Sequence, residues 1–369
     1  MKPFNTIQHE ELVSAIAAID SGPLSGYLAG RSRGGRWVRA LEDRWCETFH
    51  VKHAVACNSA TSGLLAASFA VGLGRGDTFT CPAMTMSATA AAPMFTGATP
   101  DFCDVNADDF GLTGVRAPCP KAIFATNLFG HPSRLQSLMD IAEDCGAFLI
   151  EDNAQSPFAM DGGVYTGTIG HIGVWSLNVH KPLQCGEGGI ITTESDDLAE
   201  KLRNFINHGE NVAENIGLNL RMPEICASIA LTQLNRAPSI IGGRIEQAEA
   251  IIQAIGDIPG LRPPVTRKGC RHVYYTIPFL IDVHQSTMAD PRVAFCSDLR
   301  ALGVPIVEGY IDPLYRLPAF APYARSCPVA EDLQDHRLFY FENCAWDPTK
   351  EQIKKIGDAF KKAAEQCLQ

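Results

Sequence analysis

The chain has 369 residues, a formal net charge of −10 and a pI near 5.5. That acidity, with no basic run, leaves nucleic-acid binding little electrostatic support. No segment is apolar over the roughly eighteen residues that a membrane-spanning helix needs. The opening MKPFNTIQHEELVSAIAAID carries acidic residues where a secretory signal would carry a basic end. Thirteen cysteines include no C-x-x-C pair, and several sit inside apolar runs such as AVAC, TFTC and PDFC. They read as reduced, free thiols, so a cytoplasmic protein without a metal site is expected.

The length suits one large domain and a smaller one. The segment before about residue 25 is open to packing on either lobe. From about residue 54 to 210, short apolar runs alternate with helical patterns. Strands are predicted at 54–57, 78–82, 100–105, 122–127, 148–153, 173–178 and 189–193, with helices at 62–71, 87–95, 133–145 and 195–206. This is the spacing of βα units and predicts a mainly parallel sheet covered by helices. Past residue 220 the texture changes to helical segments at 223–235 and 243–255 and the proline-bearing IPGLRPPV. The alternating runs HVYYTIPFLID and LGVPIVEGYID and a closing helix at 350–365 then predict a separate α+β lobe. The expected division is 1–240 for the large domain and 241–369 for the small one.

In open α/β sheets ligands bind beyond the carboxyl ends of the strands. The first predicted strand runs into Asn58-Ser-Ala-Thr-Ser-Gly63, where small hydroxyl residues open a helix. Free backbone N–H groups at that positive end suit an anion, most naturally a phosphate. Alternatively, Ser59 or Thr61 merely caps the helix. The run FLIEDNAQS puts Asp152 at the end of an apolar strand, either as a carboxylate facing a cation or as a cap of the next turn. Ser176 closes the following strand, and Lys181 stands five residues on, between the apolar runs GVWSLNV and GGIITT. A lysine drawn inside there loses its proton more easily and becomes a nucleophile. A phosphate cradle, a carboxylate and a lysine are the parts that pyridoxal phosphate needs.

Further stretches follow in order: GPLSG, WVRALEDRWCETFHVKHAVACNSATSGL, GRGDTFTCPAMTMSATAAAPMFTGATPDFCDV, NLFGHP, LIEDNAQS, GTIGHIGVWSLNVHKPLQCGEGGIITT, LRNFINHGE and GLNLRMPEICASIALTQL. Together they resemble the DegT/StrS group of sugar aminotransferases over nearly the whole chain. The resemblance implies the pyridoxal-phosphate-dependent transferase fold type I. That fold has a large, mainly parallel seven-stranded sheet domain with helices on both faces, plus a smaller α+β C-terminal domain.

The resemblance further implies that Lys181 forms the Schiff base and shuttles the proton, that Asp152 pairs with the pyridine nitrogen, and that Gln155 meets the ring's phenolic oxygen. Ser59, Ala60, Thr61 and Ser176 would hold the phosphate. Asn219 of GLNLRM matches an asparagine that reaches the phosphate from a neighbouring subunit, so a homodimer with shared active sites is expected. Met86 departs from the pattern, standing where an aromatic usually stacks on the ring. His180 is open between tuning the lysine, facing the substrate and a structural role.

The implied reaction moves an amino group from glutamate or glutamine to a keto-sugar, most often nucleotide-linked, through a pyridoxamine intermediate. A non-catalytic cofactor-binding regulator is one alternative. A sugar dehydratase, in which histidine replaces the lysine, is the other; the spacing from Ser176 reaches Lys181 instead. Pocket walls are expected from 21–26, 207–210 and 308–315, and Arg31, Arg33 and Arg221 are candidate diphosphate contacts.

Overall fold

The computed structural model describes residues 1–27, 33–209, 216–282 and 290–368. Seven five-residue strands build the larger sheet: β1 (His53–Cys57), β2 (Thr78–Pro82), β3 (Thr99–Cys103), β4 (Ala122–Thr126), β5 (Phe148–Asp152), β6 (Ile172–Ser176) and β7 (Gly189–Thr193). Each lies within two residues of its predicted bounds. The order is β1-β7-β6-β5-β4-β2-β3, with β7 antiparallel to both neighbours and the other pairs parallel.

The large-sheet helices are α1 (His9–Asp20), α2 (Arg36–Phe49), α3 (Ala60–Ala70), α4 (Ala88–Met94), α5 (Leu135–Cys145), α6 (Asp196–Ile206) and α7 (Glu224–Ile255). Adjacent residues of one strand enter different cores. Phe124, Ile150, Val174 and Ile191 pack with Leu64 of α3 and Leu202 of α6. On the opposite face, Trp175 and Ile190 meet Leu41 and Trp45 of α2 and Ile241 of α7, and Ile123 and Leu149 meet Leu135 and Leu138 of α5. Helices therefore cover both faces, which is why these strands read as unbroken apolar runs.

Two helical segments were expected between 223 and 255, and the structure instead has one helix of 32 residues that runs through Pro238. A proline removes one backbone hydrogen bond and normally kinks a helix. Here the buried neighbours Leu234, Ala237, Ile240 and Ile241 hold the helix against the core on both sides of it. The same helix places Ala227 and Leu234 in the large-sheet core and Ala248, Ile251 and Ile255 in a second core.

That second core lies under a four-stranded antiparallel sheet of β8 (Leu261–Arg262), β9 (Ile277–Ile281), β10 (Ile306–Glu308) and β11 (Leu338–Phe341), ordered β8-β9-β11-β10. Phe279 and Phe339 of this sheet meet Phe295 of α8 (Pro291–Ala301) and Phe360 of α9 (Lys350–Cys367). The N-terminal segment touches both lobes. Lys2–Pro3 pairs with Trp346–Asp347, while the buried Glu11 of α1 accepts hydrogen bonds from Gln233 and Arg236 of α7. Among the described residues no helix is long and apolar enough to cross a membrane, and no cluster of His, Cys, Asp or Glu is placed to hold a metal.

Candidate active site

The carboxyl ends of β1, β4, β5 and β6 and the turn after β2 surround a cavity of about 540 Å³. Its remaining wall includes Tyr275, Tyr310, Ile311 and Tyr340 from around the smaller sheet. Eight of the nine cofactor-site residues expected from sequence line it: Ser59, Ala60, Thr61, Met86, Asp152, Gln155, Ser176 and Lys181. Asn219 does not. It is exposed, its backbone bridged to Asn207.

β1 leads through Asn58 into α3, with Ser59 as N-cap. The Ser59 hydroxyl accepts from the Ser62 N–H at 3.1 Å, so its oxygen does cap the helix. The first bond along the helix runs from Gly63 N–H to the Ser59 carbonyl at 3.0 Å. The N–H groups of Ala60 and Thr61 come before it and have no acceptor among the described residues. They stand at the positive end of an eleven-residue helix, a position whose N–H groups suit an anion. Gly189, at the start of β7, makes room for this turn, because a Cβ there would lie 2.6 Å from the Ser59 carbonyl carbon. The Ser176 hydroxyl accepts from the Asn178 N–H at 3.3 Å, which leaves its own proton for a ligand.

Asp152 is buried at the end of β5. One carboxylate oxygen accepts from the Thr89 hydroxyl at 2.6 Å and the other from the Ala154 N–H at 3.2 Å. Burial raises the carboxyl pKa, against the Thr89 and Ala154 hydrogen bonds and the charge of Lys181. Lys181 is half-buried, with its Nζ 4.6 Å from the centre of the Tyr275 ring. Burial lowers its pKa, opposed first by Asp152 and then by Cys344. The result is a lysine brought towards its uncharged form beside a carboxylate.

Gln155 accepts from the Phe129 N–H at 2.8 Å and donates to the Tyr310 hydroxyl at 2.9 Å. One amide hydrogen of Gln155 and the Tyr310 proton remain for a bound molecule. Phe129 holds a left-handed φ of 59°, which turns its N–H onto this glutamine. Met86 is 52% exposed at the cavity rim. His180 also lines the cavity, while its backbone N–H donates to Asn178.

Of the segments expected as pocket walls, 308–315 contributes Tyr310 and Ile311, and 21–26 contributes nothing to this cavity. Arg33 pairs with Glu42 and Asp43, and Arg221 lies over the Tyr27 ring and donates to Asn207. Arg31 and Glu210 lie outside the described residues. Sequence reading missed Tyr275, Tyr340, Thr85 and Thr126. The rule that ligands sit at strand ends reaches Thr85 and Thr126, but nothing local marks the two tyrosines.

The profile of the DegT/DnrJ/EryC1/StrS aminotransferase family matches residues 27–361. The chain belongs to this family. Among curated relatives, the GDP-perosamine synthase of Caulobacter vibrioides is 30% identical over 304 residues, 79% of this chain and 80% of that one. The UDP-N-acetyl-3-dehydro-alpha-D-glucosamine 3-aminotransferase of Acidithiobacillus ferrooxidans is 32% identical over 315 residues, 82% and 83% of the two chains. An aminotransferase structure from Psychrobacter cryohalolentis matches with a TM-score of 0.89 at 25% identity, covering 99% of each chain. A DegT/DnrJ/EryC1/StrS aminotransferase from Brucella abortus gives 0.86 at 26%, covering 96% and 95%. This family member is an aminotransferase, and its seven-stranded sheet with flanking helices is the type I fold.

Proposed function

We propose that the protein is a pyridoxal-phosphate-dependent sugar aminotransferase that takes its amino group from glutamate or glutamine and delivers it to a nucleotide-linked keto-sugar in the cytoplasm. One observation carries the reading: Lys181, Asp152 and two unpaired N–H groups at the start of α3 line one cavity. The donor set fits the cofactor. The Ala60 and Thr61 N–H groups and the Ser176 hydroxyl suit its phosphate, with Ser59 fixing the turn. Asp152 suits its ring nitrogen, Gln155 its phenolic oxygen and Met86 one ring face. When bound, pyridoxal phosphate supplies an electrophilic carbon and a ring that accepts electrons.

The chain's own groups do the rest. Lys181 Nζ, whose pKa burial lowers, would take a proton from the donor's α-carbon in one half-reaction and deliver one to the aminated sugar carbon in the other. Asp152, held by Thr89 and Ala154, keeps a negative charge aimed at the ring nitrogen. Tyr310 and Gln155 hold polar substituents in place by hydrogen bonds.

The relatives that act on GDP- and UDP-linked sugars support the substrate class. Among the described residues, the basic ones lining the cavity are Lys181 and His180. Asn219 is exposed and away from this cavity, which supports a homodimer in which it reaches the phosphate of a second copy.

The test is incubation with glutamate or glutamine and a panel of GDP- and UDP-linked keto-sugars, read by product mass. An amino-sugar is expected. A deoxygenated sugar identifies the dehydratase alternative, and cofactor binding without turnover identifies the regulator. Borohydride should fix the cofactor to wild-type protein and leave Lys181→Ala unlabelled.

A further inference from the structure

Three threonines from three separate elements form a hydroxyl chain that ends on Asp152. The Thr126 hydroxyl of β4 lies 2.9 Å from that of Thr85 after β2, and Thr85 lies 2.9 Å from Thr89 of α4. Thr89 in turn lies 2.6 Å from the Asp152 carboxylate. All three threonines are buried, with Thr85 and Thr89 wholly so. Valine has the same shape and burial would suit it better, so three hydroxyls here call for a reason.

Proton counting fixes their direction. An ionised carboxylate only accepts, so Thr89 donates to Asp152. Its single proton is then engaged, so its oxygen accepts from Thr85, and Thr85 accepts from Thr126. Hydroxyls aligned in this way polarise one another. The other Asp152 oxygen already accepts from the Ala154 N–H. Protonating Asp152 therefore weakens it as an acceptor for the Thr89 hydroxyl and the Ala154 N–H, so both hydrogen bonds favour the ionised form.

We propose that the Thr126–Thr85–Thr89 chain keeps Asp152 ionised and aimed into the cavity, which makes Thr89 a positioning residue for the cofactor ring. This rests on the cofactor reading above. The ionisable groups that face Asp152 are Lys181, from the segment after β6, and Tyr310, beside β10. The Lys181 charge acts in the same sense as the hydroxyls, and Tyr310 is kept neutral by burial.

The experiment follows the Asp152 carboxyl by infrared difference between ligand-free protein and its Asp152→Asn variant, across pH. Pyridoxal phosphate affinity is measured in parallel by equilibrium dialysis. Thr89→Val should raise the carboxyl midpoint by about one pH unit and weaken cofactor binding about 10-fold, with the loss growing as pH falls. Thr89→Ser, which keeps the hydroxyl, should stay near wild type in both. An unmoved midpoint in Thr89→Val, or an equal shift in Thr89→Ser, overturns the proposal. Should Thr89→Val fail to fold, Thr85→Val removes the next link and must move the midpoint in the same direction; no movement overturns it. Failure of the wild type to bind pyridoxal phosphate would sink the cofactor reading and leave the carboxyl titration to decide this one.

Discussion

Lys181 shows what the site costs the ligand-free chain. Its ordinary pKa is 10.5 and burial lowers it in the fold. An unfolded chain thus holds a proton there that the folded chain gives up, at any pH between the lowered value and 10.5. Over that window stability rises with pH, because the unfolded state binds more protons. Lys181→Met should therefore make the ligand-free protein more stable at neutral pH. The gain should shrink as pH approaches 10.5, as read from urea melts at several pH values. Met86 is the complementary case, a flexible side chain exposed at the rim. Met86→Tyr should tighten pyridoxal phosphate binding by roughly 2- to 10-fold, since aromatic stacking contributes about 0.5–1.5 kcal/mol.

At the scale of elements, the sheet was legible because parallel strands covered on both faces are short apolar runs, and their ends name Asp152 and Ser176 directly. α2 was not among the predicted helices, although its periodicity buries Val38, Leu41, Trp45 and Phe49 on one side. α7 was misread, since Pro238 is a breaker locally and only tertiary packing overrules it. Tyr275 and Tyr340 join the site from around the second sheet, some 210 to 280 residues after the Ser59–Thr61 turn, a distance that no local pattern spans.

One link between elements was also invisible from sequence. The buried Glu224, the first residue of α7, accepts from the N–H groups of Gly35 at 3.0 Å and Trp37 at 2.7 Å, and so caps α2 from another helix. Gly35 has no side chain to do this itself. Glu224→Ala strands both donors and should cost roughly 2–4 kcal/mol in chemical denaturation.

For the whole molecule, the expectation of a shared site has a mixing test. Chains carrying Lys181→Ala and chains carrying Asn219→Ala are each expected to be impaired alone. Co-expression should restore about a quarter of wild-type activity, because half the dimers are mixed and each mixed dimer has one intact site. Sites built within single chains would show no recovery.

The reversal of β7 among its neighbours has its own consequence. β4, β5 and β6 end at the cavity with Thr126, Asp152 and Ser176, whereas β7 begins on that side of the sheet, and its first residue, Gly189, backs the Ser59–Ala60 turn. The sheet thereby offers bare backbone at the one place where the anion turn presses closest. A single added methyl, Gly189→Ala, would meet Ser59 and Ala60 and push the turn outward. It should weaken pyridoxal phosphate binding more than tenfold by equilibrium dialysis while circular dichroism stays native, an enzyme silenced by lack of room with all its reactive groups still in place.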